Sequence, residues 1–126
     1  MGGLSGRYYL KYLGGHRIAH QFIGMGTSQQ GYWPACILPT DRGGQLCPLN
    51  EFIHVLNAGV DLPPDVTYTA LASTEDSTDG GIAGRWCKVP RVRGVSHADE
   101  PGDAQFGRLV LQTLTTGCPG RVVATP

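Results

Sequence analysis

The sequence predicts a small α/β domain with about three parallel strands and flanking helices. Apolar runs of strand length alternate with segments of helical periodicity, which is the order of parallel βαβ units. The chain has 126 residues, enough for one hydrophobic core and too few for two domains. Its 19 glycines and 9 prolines indicate short elements and many turns.

The first half of the chain predicts a helix, a strand and a second, shorter helix. Apolar residues recur at near-helical spacing over residues 2–13, and a pair of glycines ends that helix. Residues 20–26 are a short apolar run closed by glycine, which is typical of a buried strand. A long loop over residues 27–45 then leads to a short helix over residues 49–56.

The second half predicts two more strands and a closing helix. Residues 66–72 are β-branched and aromatic, as in a strand. The polar, glycine-rich stretch 73–84 predicts a loop, and residues 88–95 predict the third strand. An amphipathic helix is expected over residues 103–115, because acidic residues precede its start and apolar residues recur along one face.

Cys36, Cys47, Cys87 and Cys118 allow three disulfide pairings. None of their spacings is C-x-x-C, which argues against a zinc ribbon or a thioredoxin-type site. We favour pairing of sequence neighbours, because it closes one short loop and ties down the C-terminus; four buried free thiols are the alternative. Disulfides predict a secreted or periplasmic protein.

Charge argues against several function classes. The chain has ten basic and ten acidic residues and is only 16% charged, so we expect no nucleic-acid partner. It has no apolar run long enough to span a membrane. His16 and His20 are spaced as metal ligands on a helix would be, but the preceding glycines predict a surface turn there. We therefore expect neither a metal nor a cofactor.

Two titratable side chains follow predicted strands. Asp76 comes after the second strand and His97 after the third. In open parallel sheets, ligands bind beyond the carboxyl ends of the strands, so these residues are expected to lie close together. An acid that orients a histidine is part of a nucleophile–histidine–acid triad. The alternative is that each is a solvated loop residue.

Four motifs resemble the C-terminal half of secreted bacterial α/β-hydrolase lipases and esterases, the triacylglycerol lipases. MGGLSGRYYLK at the start is similar to the helix after the nucleophile elbow, and FIGMGT is similar to the next strand. DVTYT followed by STED resembles the segment with the acid, and RGVSH the segment with the histidine. The motifs keep the family's order over nearly the whole chain, with Ser28 where the family commonly has proline.

The resemblance implies a role for each matching residue. His97 corresponds to the general base and Asp76 to its acid, with Asp79 as the second choice. The backbone at Met1 and Gly2 corresponds to part of the oxyanion hole. The family's nucleophilic serine would stand one position before Met1, so the sequence corresponds to a truncated α/β-hydrolase fold that begins just after the elbow.

Ser5 is the first candidate for a substitute nucleophile. Residues 3–6 partly match G-x-S-x-G, although arginine follows where the last glycine would stand. The alternative is that Ser5 is a small residue that packs the helix. Weaker candidates are Ser28, Ser73, Ser77 and Ser96. His97 could also activate water directly, without a covalent step.

These observations predict a lipolytic carboxylic-ester hydrolase that acts on short-chain esters. The alternative is a catalytically inactive lipase remnant that serves as a structural or interaction module, or as a complementing fragment. The strand from Phe22 to Gly26 would lack its family neighbour and become a sheet edge. Because an apolar edge recruits another strand, we expect a homo-oligomer that associates through it.

Overall fold

One four-stranded sheet organises the protein, and a computed structural model describes it over residues 1–126. The strands lie side by side in chain order; the first three are parallel and the fourth is antiparallel to the third. The predicted mixed α/β class is therefore confirmed. The helices and strands are, in order, α1 (Gly2–Tyr12), β1 (Gln21–Met25), α2 (Glu51–Asn57), β2 (Thr67–Leu71), β3 (Gly84–Lys88), α3 (Ala104–Thr116) and β4 (Arg121–Thr125).

The prediction of the third strand at residues 88–95 is wrong. Strand β3 is Gly84–Lys88, and beyond it only Val92 forms an isolated bridge, to Ser73. Pro90 lies between them and has no N–H to donate to a ladder. The sequence analysis also missed β4, whose residues are mostly exposed and which pairs with β3 along its whole length.

The sheet is covered on both faces. Alternate residues of β2 point to opposite sides, so Tyr68 and Ala70 join a cluster with Leu10 of α1, and Leu71 joins a cluster with Phe106 of α3. Burial on both faces is typical of parallel strands and explains the continuous apolar run that predicted β2.

Both disulfides have the favoured pairing. Cys36 is bonded to Cys47 and Cys87 to Cys118, and no cysteine is free. The first bond closes the loop after β1, and the second ties β3 to the end of α3. Two disulfides fit an oxidising, extracellular setting. None of the helices has the length and apolar character needed to cross a membrane.

A buried ion pair joins α1 to the rest of the molecule. Arg7 is 0% exposed and Asp61 2%, and Arg7 Nη1 lies 3.2 Å from Asp61 Oδ2. Arg7 also donates to the carbonyl oxygen of Gln29, at 2.9 Å, and to the side chain of Asn57. Asp61 in turn accepts the N–H of Ala83 at 2.6 Å. One charged contact thus connects α1, the loop after β1, the end of α2 and the segment before β3.

We predict that Asp61→Asn lowers the free energy of unfolding by about 3–5 kcal/mol, because it leaves the buried guanidinium of Arg7 without a counter-charge. Urea denaturation followed by circular dichroism measures the loss. Asp79→Asn is the matched control. It breaks the half-exposed ion pair with Lys88, where the N–O distance is 2.6 Å, and should cost less than about 1 kcal/mol. Equal losses in the two variants would contradict the special role of the Arg7–Asp61 pair.

Strand β1 forms one edge of the sheet. At its two ends, His20 accepts a main-chain hydrogen bond from β2, and Gly26 donates one to it. Because alternate residues of a parallel strand turn toward the same neighbour, the main-chain groups of Gln21, Ile23 and Met25 point away from β2. The strand contains no proline and no charged residue. It lacks the usual features that keep edge strands apart.

We therefore expect two copies to associate through antiparallel pairing of their β1 edges. Light scattering at micromolar concentration should give twice the chain mass of 13.4 kDa. Gln21→Pro removes an outward N–H at an exposed position and should raise the dimer dissociation constant about tenfold. Gln21→Ala keeps that N–H and should leave the dimer dissociation constant unchanged. A monodisperse wild-type monomer would contradict this interface.

Candidate active site

The loop after β2 places Asp76 at the carboxyl edge of the sheet. A tight turn forms here: the N–H of Asp76 donates to Ser73 O at 3.1 Å, and the N–H of Ser73 donates to Asp76 Oδ2 at 2.9 Å. The guanidinium of Arg91 holds the turn from outside by donating to the carbonyl oxygens of Ser73 and Asp76. Only 8% of the Asp76 side chain is exposed, and its Oδ1 remains free to face His97.

The segment after β3 brings His97 to this turn. Main-chain hydrogen bonds join Val92 to Ala72 and Thr74, and the hydroxyl of Ser73 accepts the N–H of Val95 at 3.2 Å. The expected proximity is observed: His97 Nδ1 lies 3.1 Å from Asp76 Oδ1. The imidazole is 68% exposed, which leaves its far side open to solvent.

Glu100 is a third member of the site that the sequence analysis missed. The acidic residues before α3 entered the sequence analysis only as a signal for the start of that helix, but the side chain of Glu100 is only 1% exposed. Its Oε2 lies 3.5 Å from His97 Nδ1, and its Oε1 accepts the N–H of Ser73 at 3.3 Å. The spacing of three residues after His97 is the signal that could have indicated it.

The two carboxyl groups differ in their pKa values. Burial raises the pKa of Glu100 to about 8, with further contributions from the hydrogen bond and charge of Asp76. Burial also acts to raise the pKa of Asp76, but hydrogen bonds from Glu100, the Ser73 N–H and His97 outweigh it. The pKa of Asp76 is therefore below its ordinary value.

Gly26, just beyond β1, allows these groups to come together. Its φ is +55°, and a Cβ at this position would collide with Glu100 Oε2 and His97 Nδ1. The next residue, Thr27, packs in the same way against Gly3 in the first turn of α1. The start of α1 therefore lies at the same end of the sheet as the His97–Asp76 pair.

Other predicted residues have different surroundings. Asp79, the second choice for the acid, pairs with Lys88 at 2.6 Å and not with His97. Ser5 is exposed on α1, its hydroxyl makes no hydrogen bond, and no serine hydroxyl bonds to His97. The carbonyl oxygen of Met1 accepts the N–H groups of Leu4 and Ser5, which caps the first turn.

The weaker serine candidates have mostly structural contacts. Ser28 accepts from Thr78, and Ser96 donates to Asp99. Ser73 binds the N–H groups of Glu75 and Val95 through its hydroxyl. Ser77 is exposed and makes no side-chain hydrogen bond.

The imidazole of His97 is exposed to solvent. Two surface cavities, of about 470 and 690 Å³, lie beside β3 and β4, and His97 lines neither of these two. His16 is in a surface turn, as predicted, where its Nδ1 lies 3.3 Å from Asp65.

The three side chains of the site are of types that can bind a divalent cation, and their ligand atoms lie within 4.8 Å of one another. Two of those atoms already contact each other, because Nδ1 of His97 lies 3.1 Å from Oδ1 of Asp76. A cation bound to both atoms would have to replace this hydrogen bond. We therefore describe the cluster as a hydrogen-bonded acid–histidine pair.

No family model matches the sequence, and no curated protein or solved structure is significantly similar to it.

We predict that Gly26→Ala destabilises the protein more than Gly59→Ala. Both glycines have positive φ, +55° and +70°, but a Cβ at Gly59 meets nothing within 4 Å. The Gly59 variant therefore measures backbone strain alone, about 1–2 kcal/mol. The Gly26 variant should lose about 1–3 kcal/mol more, because the methyl group separates His97 from Glu100. Equal losses in thermal unfolding would mean that Gly26 does not govern this close approach.

Proposed function

We propose that the protein is a lipolytic carboxylic-ester hydrolase in which His97 is the general base and Asp76 its orienting acid. The observation that carries this proposal is the 3.1 Å contact between His97 Nδ1 and Asp76 Oδ1, together with the exposure of the imidazole. A histidine held by a buried carboxylate on one side and open to solvent on the other is arranged to accept a proton from a reactant.

The acid fixes the state in which the histidine works. Asp76 accepts the Nδ1 proton, so the lone pair of the neutral imidazole is on Nε2 and points away from the acid. When Nε2 takes a proton from an attacking hydroxyl group, the negative charge of Asp76 stabilises the imidazolium. His97 then returns the proton to the leaving alcohol.

The start of α1 is the proposed oxyanion site. Gly2 is the first residue of the 11-residue helix α1 and Met1 is its N-cap, so their main-chain nitrogens have no intrahelical acceptor. The contact between Gly3 and Thr27 supports this role, since Thr27 follows the glycine packed against His97. The helix dipole adds a partial positive charge at this end.

Ser5 is the proposed nucleophile, and water activated by His97 is the alternative. The hydroxyl of Ser5 is exposed and unpaired, but it lies about one turn into the helix, roughly 6–8 Å along the axis from the position before Met1. Attack by Ser5 would need the first turn of α1 to unwind. Attack by water needs no rearrangement, but it lacks a covalent intermediate and would be slower.

The proposed substrate class and the proposed finer fold are based on the four sequence motifs. Their resemblance to the triacylglycerol lipases suggests a truncated α/β-hydrolase fold and an ester substrate. The exposure of the His97 imidazole favours short acyl chains, because a long chain needs a cleft to bury it. Secretion is part of the same proposal and fits the two disulfides.

A second candidate function is an interaction module or complementing fragment without its own turnover. Two observations favour it: no serine hydroxyl bonds to His97, and β1 is an open sheet edge. A partner strand at that edge could come from a chain that also supplies the nucleophile.

We predict that His97→Ala lowers kcat/KM for p-nitrophenyl butyrate by about 100-fold or more, because the general base is lost. Asp76→Asn should give a comparable loss, because the amide no longer selects the reactive tautomer. Initial rates at neutral pH, measured on protein shown to be folded by circular dichroism, test both expectations.

The matched controls are His16→Ala and Asp65→Asn. They remove a second histidine–aspartate pair, with its atoms 3.3 Å apart, that has no buried carboxylate beside it. Both controls should keep the wild-type rate within about twofold. Loss of activity in Ser5→Ala would support Ser5 as the nucleophile, and full activity would favour water. Activity that persists in His97→Ala would overturn the proposed mechanism, and an inactive wild type would favour the interaction module.

A further inference from the structure

We propose that Glu100 is a positioning residue that carries a proton at neutral pH and donates it to Asp76, which leaves Asp76 as the single anion facing His97. The position of the proton is a property of the resting protein. The role of Glu100 in the reaction rests on the proposed ester hydrolysis.

Glu100 is buried without a cation beside it. The side chain of Glu100 is 1% exposed and forms no ion pair with lysine or arginine. The nearby guanidinium of Arg91 donates to the carbonyl oxygens of Ser73 and Asp76, not to Glu100. Because an ionised carboxylate is costly to bury without a counter-charge, the neutral acid is favoured here.

Asp76 and Glu100 share one hydrogen-bond donor. The single N–H of Ser73 lies 2.9 Å from Asp76 Oδ2 and 3.3 Å from Glu100 Oε1. An oxygen of each carboxyl group lies within 4.8 Å of the other, and two anions at this separation repel each other. One retained proton converts the repulsion into a charge-assisted hydrogen bond between the two groups.

The hydrogen-bond distances and the burial of the two carboxyl groups decide which of them keeps the proton. Asp76 has the shorter hydrogen bonds, 2.9 Å from the Ser73 N–H and 3.1 Å from His97, and is slightly more exposed. Glu100 is more buried, and its corresponding distances are 3.3 and 3.5 Å. The negative charge is therefore better stabilised on Asp76. The raised pKa of Glu100 and the lowered pKa of Asp76 agree with this assignment.

The surrounding groups leave the pair without another proton donor or counter-ion. Asp99, next in sequence, binds the hydroxyl of Ser96 at 2.6 Å, and Gly26 on the β1 side has no side chain. His97 is therefore the titratable group that faces both carboxyls. With Glu100 neutral, one negative charge balances the imidazolium formed in the reaction, and the Nδ1 proton has one anionic acceptor.

The side-chain carboxyl carbon of Glu100, followed by NMR in ¹³C-labelled protein, tests where the proton lies. We expect this carbon to have the chemical shift of a neutral acid at about pH 6, a pH that lies well above the ordinary pKa of a glutamate. We expect the midpoint of its titration at about pH 8. Asp76→Asn should lower that midpoint, because it removes the neighbouring charge. Glu75→Gln, one position earlier in the same loop, should leave it unchanged. An ionised Glu100 at about pH 6, or a midpoint that does not respond to Asp76→Asn, would overturn the assignment.

Substitution of Glu100 tests its role in the reaction. Glu100→Gln keeps a neutral hydrogen-bond donor and should retain kcat within about threefold at neutral pH. Glu100→Ala removes the donor and should lower kcat about tenfold with little change in KM, because His97 and Asp76 lose their alignment. A larger loss in the Gln variant than in the Ala variant would overturn the positioning role. If the wild type hydrolyses no ester, the hydrolase proposal fails while the carbon titration still decides the proton assignment.

Discussion

The buried ion pair between Arg7 and Asp61 is the contact on which the rest of the molecule depends. A guanidinium removed from water needs its counter-charge, and Asp61 supplies it at 3.2 Å. This charge requirement ties helix α1 to the segment that carries Asp61, in addition to the apolar contacts that the helix makes with the sheet. Since the first turn of α1 packs on Thr27 beside the acid–histidine pair, the same contact sets where the helix start lies relative to His97.

Ser73 has a comparable role within the site. It is fully buried, and each of its polar groups has a partner. Its N–H faces Asp76 and Glu100, its hydroxyl accepts from Glu75 and Val95, and its carbonyl oxygen accepts from Arg91. The sequence analysis considered Ser73 as a weak nucleophile. In the structure it is the residue around which the loops after β2 and β3 are assembled.

The sequence predicted those features that depend on local pattern. The helical periodicity of α1 and α3 and the apolar runs of β1 and β2 were expected. Two longer-range contacts were also expected, the disulfide pairing from the order of the cysteines and the meeting of Asp76 with His97 from their places after parallel strands. Other features that depend on distant partners were missed. Strand β4 is mostly exposed and exists because β3 pairs with it, and β3 itself ends before a proline inside the predicted strand. Glutamate is a residue type usually found at the surface, so the sequence did not indicate that Glu100 is buried. Its burial depends on the close approach of Gly26, which follows β1.

The bond between Cys87 and Cys118 divides the acid–histidine site in covalent terms. It closes a ring with a sequence separation of 31 residues that contains both His97 and Glu100 but not Asp76. While the ring is closed, the histidine and its neighbouring carboxyl group remain tethered to β3 even when α3 loosens. Reduction would open that ring. The segment with His97 and Glu100 would then gain more conformational freedom than the segment with Asp76. The redox state of the Cys87–Cys118 pair thus contributes to the entropy that must be lost to bring base and acid together.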